Sequence, residues 1–149
     1  MKLSHVTSKG DAAMVDVSSK DIMKREAVAV GKIFLQKETL NLIQHNKIQK
    51  GDVLSTARIA GIKGAKRTSE LIPLCHNISL EHIQIILNPQ EDGVEIESRV
   101  KSIGRTGAEM EALTAVSIAA LTLYDMCKAV DKTMRIGDIV LKEKSKNEI

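Results

Sequence analysis

Aromatic residues are almost missing from this chain: among 149 residues only Phe34 and Tyr124 carry an aromatic ring, and there is no tryptophan. That scarcity excludes the stacking platforms that hold single-stranded nucleic acid, and it requires a core of Ile, Leu, Val, Ala and Met. There are two cysteines, Cys75 and Cys127, neither in a CxxC or other zinc-ligand spacing. They read as free thiols in a reducing compartment. His5, His45, His76 and His82 show no zinc spacing, so no metal site is expected, and no GxSxG elbow surrounds a serine. Charge of one sign is not in excess. The formal net charge is +3 with acids and bases interspersed, which implies weak attraction for anions and no nucleic-acid arm. Neither a run of 18 apolar residues nor an N-terminal apolar h-region occurs, so no membrane is expected and the expected location is cytoplasmic.

The remaining composition, 43% hydrophobic and 28% charged, suits a single domain over 1–149 with a real core. Residues 1–21 are polar and broken by Gly10, and are expected to form a mobile arm. Alternation of Val28, Val30 and Ile33 predicts a strand over 27–35; short and longer helices are expected over 38–45 and 52–70. Two strands, 82–87 and 94–101, are joined through Asn88, Pro89 and Gly93 as a hairpin. A long helix over 106–132 and a strand over 136–143 complete the chain. The order β, α, β, β, α, β predicts an α+β, ferredoxin-like fold with helices on one face of an antiparallel sheet. The other sheet face should be partly apolar, which argues for oligomerisation.

The long helix is the most informative stretch. Helical spacing puts Glu111, Thr114, Ile118, Leu121, Asp125, Lys128 and Lys132 on one face, and Leu113, Val116, Ala120, Leu123, Cys127 and Val130 on another. The first stripe should carry charge and the second burial. Thirteen uncharged residues between Glu111 and Asp125 are too few to span a bilayer, so this is read as a core helix. Thr106 and Glu109 have capping-box spacing, and Asp125 with Lys128 forms an i,i+3 pair. Elsewhere, Pro73 should stop a helix at Ile72 and place Cys75 and His76 of LIPLCH on a loop. Lys50 of KGD precedes a helix start, where free N–H groups favour an anion, while Asp52 reads first as an N-cap. GIKGAKRTS at Gly61 lacks the Gly-Lys-Ser/Thr ending of a phosphate loop.

Taken in order, MVDVS at Met14, REA at Arg25, KGDV at Lys50, TARIAGI at Thr56, GAKRT at Gly64, LIPLCH at Leu71, EMEALTA at Glu109 and LYDMCKAV at Leu123 cover nearly the whole chain. This series closely resembles the cyclic pyranopterin monophosphate synthase family, also called molybdenum cofactor biosynthesis protein C. The resemblance implies a lyase that converts a 3′,8-cyclised dihydroguanosine triphosphate to cyclic pyranopterin monophosphate and releases pyrophosphate. It implies Asp125 and Lys128 as a catalytic acid-base pair, with burial moving Lys128 towards neutrality, and His76 and Lys50 as phosphate ligands that also donate protons. Leu74, Cys75, Met110, Glu111, Arg25 and Lys144 are implied as further substrate contacts, Glu111 orienting the pterin or Lys128. Glu109 is left to the cap. A homohexamer built as a trimer of dimers is implied, with sites at subunit boundaries and a functional link to the radical enzyme that makes the substrate. No cofactor is expected, with Mg²⁺ beside the pyrophosphate left open. The tail from Lys144 lacks the family's Gly-rich extension.

Overall fold

A computed structural model describes residues 6–149. The first five residues of the expected arm lie outside the described ones. Residues 6–21 form a small turn closed by a Val6–Ala12 bridge and then run to the first strand.

The elements are β1 (Met23–Phe34), α1 (Lys37–Gln44), α2 (Val53–Lys66), a single turn α3 (Thr68–Leu71), β2 (Leu80–Gln90), β3 (Gly93–Gly104), α4 (Glu109–Cys127) and β4 (Arg135–Asn147). All pairings are antiparallel and the strand order is β2-β3-β1-β4, the expected ferredoxin-like arrangement. Strands run longer than the sequence suggests because polar residues at their ends still pair. The expected tail is therefore strand: Lys144 stands opposite Ala27 and Lys146 opposite Arg25.

Alternation along β3 sends Val94, Ile96, Ser98 and Val100 to the helix side, where α4 covers them. Close approach is made by glycines. A Cβ at Gly31 would stand 2.6 Å from a Val116 methyl, and one at Gly64 2.8 Å from Ile118, so α4 settles onto β1 and against α2. By length and composition α4 could cross a membrane, yet half of it is buried in this fold, as a core helix should be. Its buried stripe is Ala112, Ala115, Val116, Ala119, Ala120, Leu123 and Cys127, each fully covered. Three placements differ from expectation. Leu113 is only half-buried, Val130 is exposed because the helix ends at Cys127, and Glu111 joins the buried side.

The open sheet face is partly apolar, as expected, with Ile86 and Val140 exposed on the side of Glu97, and it carries ion pairs as well. Arg99 pairs with Glu97 at 2.9 Å and Glu26 at 3.7 Å, Lys142 reaches Glu97 at 3.4 Å, and Arg135 lies 3.9 Å from the Phe34 ring centroid. Val28, paired with Arg99 and Glu143, is buried on that face under such long side chains.

Candidate active site

Pro73 acts as expected: α3 stops at Leu71 and Ile72 is extended, with φ −108° and ψ 109°. The chain turns back, Cys75 N donating to Ile72 O at 3.2 Å, and brings Leu74, Cys75 and His76 against the first turn of α4. Together with Ile72, Met110 and Glu111 they line a largely apolar pocket of about 440 Å³. The Ser98 hydroxyl donates to Ala112 O at 2.7 Å and pins this turn to β3. Glu111 is only 3% exposed, and its Oε2 has no hydrogen-bond partner among the described residues. Burial pushes the Glu111 carboxyl up, with the Glu109 charge adding to it against hydrogen bonds from its own backbone N–H and from Cys75, whose Sγ lies 3.9 Å from Oε1. Burial first, and then Glu111, raises the Cys75 thiol, which is the wrong direction for a nucleophile. His76 Nε2 is 2.6 Å from Val15 O. A carbonyl can only accept, so Nε2 carries the proton.

Two further hollows share Gly107 and Glu109 with this pocket, and the three form one depression around the start of α4. This side is cationic: Lys20, Arg25, Arg105 and Lys146 line a hollow of about 560 Å³, and Lys144 lines its neighbour. The Arg25 guanidinium is fixed by donating to Gly104 O at 3.0 Å and Arg105 O at 2.9 Å. The expected capping box does not form. The N-cap is Ala108 with no side-chain bond, and the Glu109 carboxylate folds back over Gly107, where a Cβ would collide with it, to meet Lys144 Nζ at 3.4 Å.

The other end of α4 holds the remaining candidates. Asp52 caps α2 through Ser55 N at 3.0 Å, as its position suggested. Lys50, just before it, donates to Asp125 Oδ2 at 2.7 Å and to Asp125 O at 3.2 Å, and Lys128 Nζ sits 2.9 Å from Asp125 Oδ1. Each carboxylate oxygen thus grips one ammonium. These hydrogen bonds, Lys50's first and Lys128's next, hold the Asp125 carboxyl down to about 2. The reciprocal contact raises Lys128. The expected neutral, buried Lys128 is therefore corrected: its side chain is 58% exposed against a carboxylate, and it stands as an ammonium able to donate a proton.

Within a single chain the candidate residues do not meet in one pocket. Glu111 and Asp125 are fourteen residues apart on α4, roughly 21 Å at 1.5 Å per residue. Leu74, Cys75, His76, Met110 and Glu111 come together, Arg25 and Lys144 adjoin them, and Lys50, Asp125 and Lys128 gather at the far end.

A family model described as the MoaC family matches residues 14–147. The chain belongs to the MoaC family. It is 58% identical over 142 residues to the cyclic pyranopterin monophosphate synthase of Chloroflexus aurantiacus (strain ATCC 29366 / DSM 635 / J-10-fl), a span covering 94% of this chain and 87% of the relative. The protein of the same name from Heliobacterium modesticaldum is 56% identical over 96% of this chain and 91% of the relative. A mitochondrial relative of that name from Arabidopsis thaliana is 54% identical over 97% of this chain and 54% of its own length.

In this MoaC-family chain Lys20, Arg105 and Lys146 join the depression only through the tertiary fold, as does Glu109, whose spacing points to a cap. The Lys144–Lys146 spacing of two is the one local signal, since it puts both on one face of a strand. Nothing local ties Lys20 or Arg105 to the depression.

Proposed function

We infer that this chain is a cyclic pyranopterin monophosphate synthase of molybdenum cofactor biosynthesis. It takes (8S)-3′,8-cyclo-7,8-dihydroguanosine 5′-triphosphate, forms the cyclic monophosphate and releases pyrophosphate. The observation that carries this reading is 58% identity, over 94% of the chain, to a protein of that name. The site's chemistry supports it. A cationic hollow suits a triphosphate, and an apolar pocket floored by a buried carboxyl suits a flat heterocycle with N–H edges.

Arg25 and Lys144 neutralise the phosphates, while Leu74, Cys75 and Met110 hold the ring. Glu111 hydrogen-bonds and orients it, and His76 contacts phosphate or passes a proton. At the α-phosphorus one P–O bond forms to an internal hydroxyl, whose proton passes through His76, as the P–O bond to the departing pyrophosphate breaks. Lys128, kept as an ammonium by Asp125, supplies a proton, and Lys50 binds phosphate and can do the same. With these groups about 21 Å from Glu111, one site requires two copies, the second contributing its Lys50, Asp125 and Lys128. A homohexamer built as a trimer of dimers meets that requirement, and exposed Met110, Leu121 and Tyr124 on α4 provide apolar surface for contact. The substrate reaches it from the radical enzyme that cyclises the triphosphate. Release of pyrophosphate needs no cofactor; Mg²⁺ would accompany it only as a counter-ion. A reducing compartment such as the cytoplasm suits the free thiols Cys75 and Cys127.

The test is to mix the purified protein with the cyclised triphosphate and follow products by mass spectrometry. Equimolar pyrophosphate and cyclic monophosphate are expected. Binding without turnover in the assembled oligomer would make this a ligand-binding relative instead.

A further inference from the structure

The Lys50, Asp125 and Lys128 side chains are 49%, 55% and 58% exposed. Within one chain such pairs gain little from their own attraction, so what holds them in place lies in the fold around them. Directly after α4 lies Asp131, 1% exposed and used in no step above. Its Oδ2 accepts from Gln36 N at 2.9 Å and Thr39 Oγ1 at 3.0 Å, and its Oδ1 accepts from Thr133 N and Thr133 Oγ1, both at 2.9 Å. Asp131 N donates to Cys127 O at 3.0 Å, which closes the turn that begins with Lys128.

The same carboxylate holds the start of the helix that leads towards Lys50. Gln36, the N-cap residue of α1, makes no side-chain cap, so Asp131 serves the start of that helix from 95 residues away. After α1 the chain is tightly wound: Asn46 is left-handed at φ 51°, Lys47 N donates to Leu42 O at 2.8 Å, and Gly51 N donates to Ile48 O at 3.0 Å. These bonds tie the segment that carries Lys50 to the end of the capped helix.

We propose that Asp131 is the positioning residue of this cluster: by capping α1 and closing the turn after α4, it sets the spacing at which Lys50 and Lys128 both grip Asp125. Asp131 touches no reacting atom, and its catalytic consequence rests on the reading that the cluster serves the reaction. Burial alone would raise its carboxyl, but its four hydrogen bonds outweigh burial and keep it below the usual range, so it is an anion at working pH. An amide in its place would turn N–H hydrogens towards groups that are themselves donors.

The experiment compares Asp131→Asn, Thr39→Val and Ile43→Val in the assembled enzyme. Ile43→Val removes one methyl group from buried α1 packing without touching the carboxylate. Asp131→Asn should lower kcat about ten-fold with KM changed less than about three-fold, since small misplacements of catalytic groups are costly. Thr39→Val, which removes one of the four bonds, should lower kcat about two-fold, and Ile43→Val should leave it at the wild-type value. By NMR, the Asp125 carboxyl should titrate above its wild-type position in Asp131→Asn as the lysines loosen. Wild-type kcat in Asp131→Asn, or an equal loss in Ile43→Val, overturns the proposal. If Asp131→Asn does not fold, unchanged kcat and Asp125 titration in Thr39→Val overturn it. A wild-type protein without turnover whose Asp125 titration still responds to Asp131→Asn sinks the enzymatic reading and leaves the positioning role standing.

Discussion

Helix α4 carries an acid near each end, and its two ends treat them in opposite ways. At the N-terminal end Glu111 is buried among Leu74, Cys75 and Met110, has one oxygen without a partner, and has its carboxyl pushed up. At the C-terminal end Asp125 stands in water between two ammonium groups and is held down to about 2. Two carboxyls on one helix are thereby driven in opposite directions: burial makes one easier to protonate, while the other is an anion that keeps Lys128 charged. Environment rather than residue type makes the difference, and pairs of groups driven apart in this way are what acid-base chemistry requires.

The largest effect should come from breaking the exposed end. Lys128→Ala and Asp125→Ala should each lower product formation by about a thousand-fold or more while the oligomer stays intact. Full activity in either purified variant would remove the roles given to the pair. A smaller but sharper effect comes from mixing Glu111→Gln with Asp125→Asn, each inactive alone. If one copy's pocket is completed by another copy's cluster, reassembled mixtures should recover up to about a quarter of wild-type activity, because half of the pairs are mixed and each mixed pair holds one intact site. No recovery after verified subunit exchange would put both ends in separate sites.

The smallest effect is on stability and runs against activity. Folding raises the Glu111 carboxyl, so its favourable contribution is fully present below the unfolded value and is lost as pH rises through the folded one. At neutral pH the wild type carries the cost of an unsatisfied buried carboxyl, and Glu111→Gln should be more stable by about 1 kcal/mol. The gap in Tm should open as pH climbs above roughly 4.5 and vanish below it. A gap that ignores pH would mean burial does not set this group's charge.

Much of this was legible along the chain. The strand and helix order follows from periodicity and turn residues, Pro73 stops its helix, and Asp52 caps α2. Misreadings arose where a residue's partner was remote. Glu109 matches a cap by spacing, but Lys144 on β4 draws it into the depression; Lys128 lies just past the end of α4, exposed beside a carboxylate. Asp131 gave no sequence signal because the donors on Gln36 and Thr39 come from the opposite side of the chain.

By itself the sequence determined the family, the α+β order and the residue types needed for an anionic heterocyclic substrate, because local periodicity and contiguous motifs record those directly. Tertiary structure alone decided that Glu111 is buried while Asp125 is exposed, that Lys50 meets Asp125, and that the candidate residues divide between the two ends of α4. The physical reason is that solvation, charge partners and a helix's fixed rise per residue act through space. Spacing along a chain places residues on a face, but it does not say what that face meets.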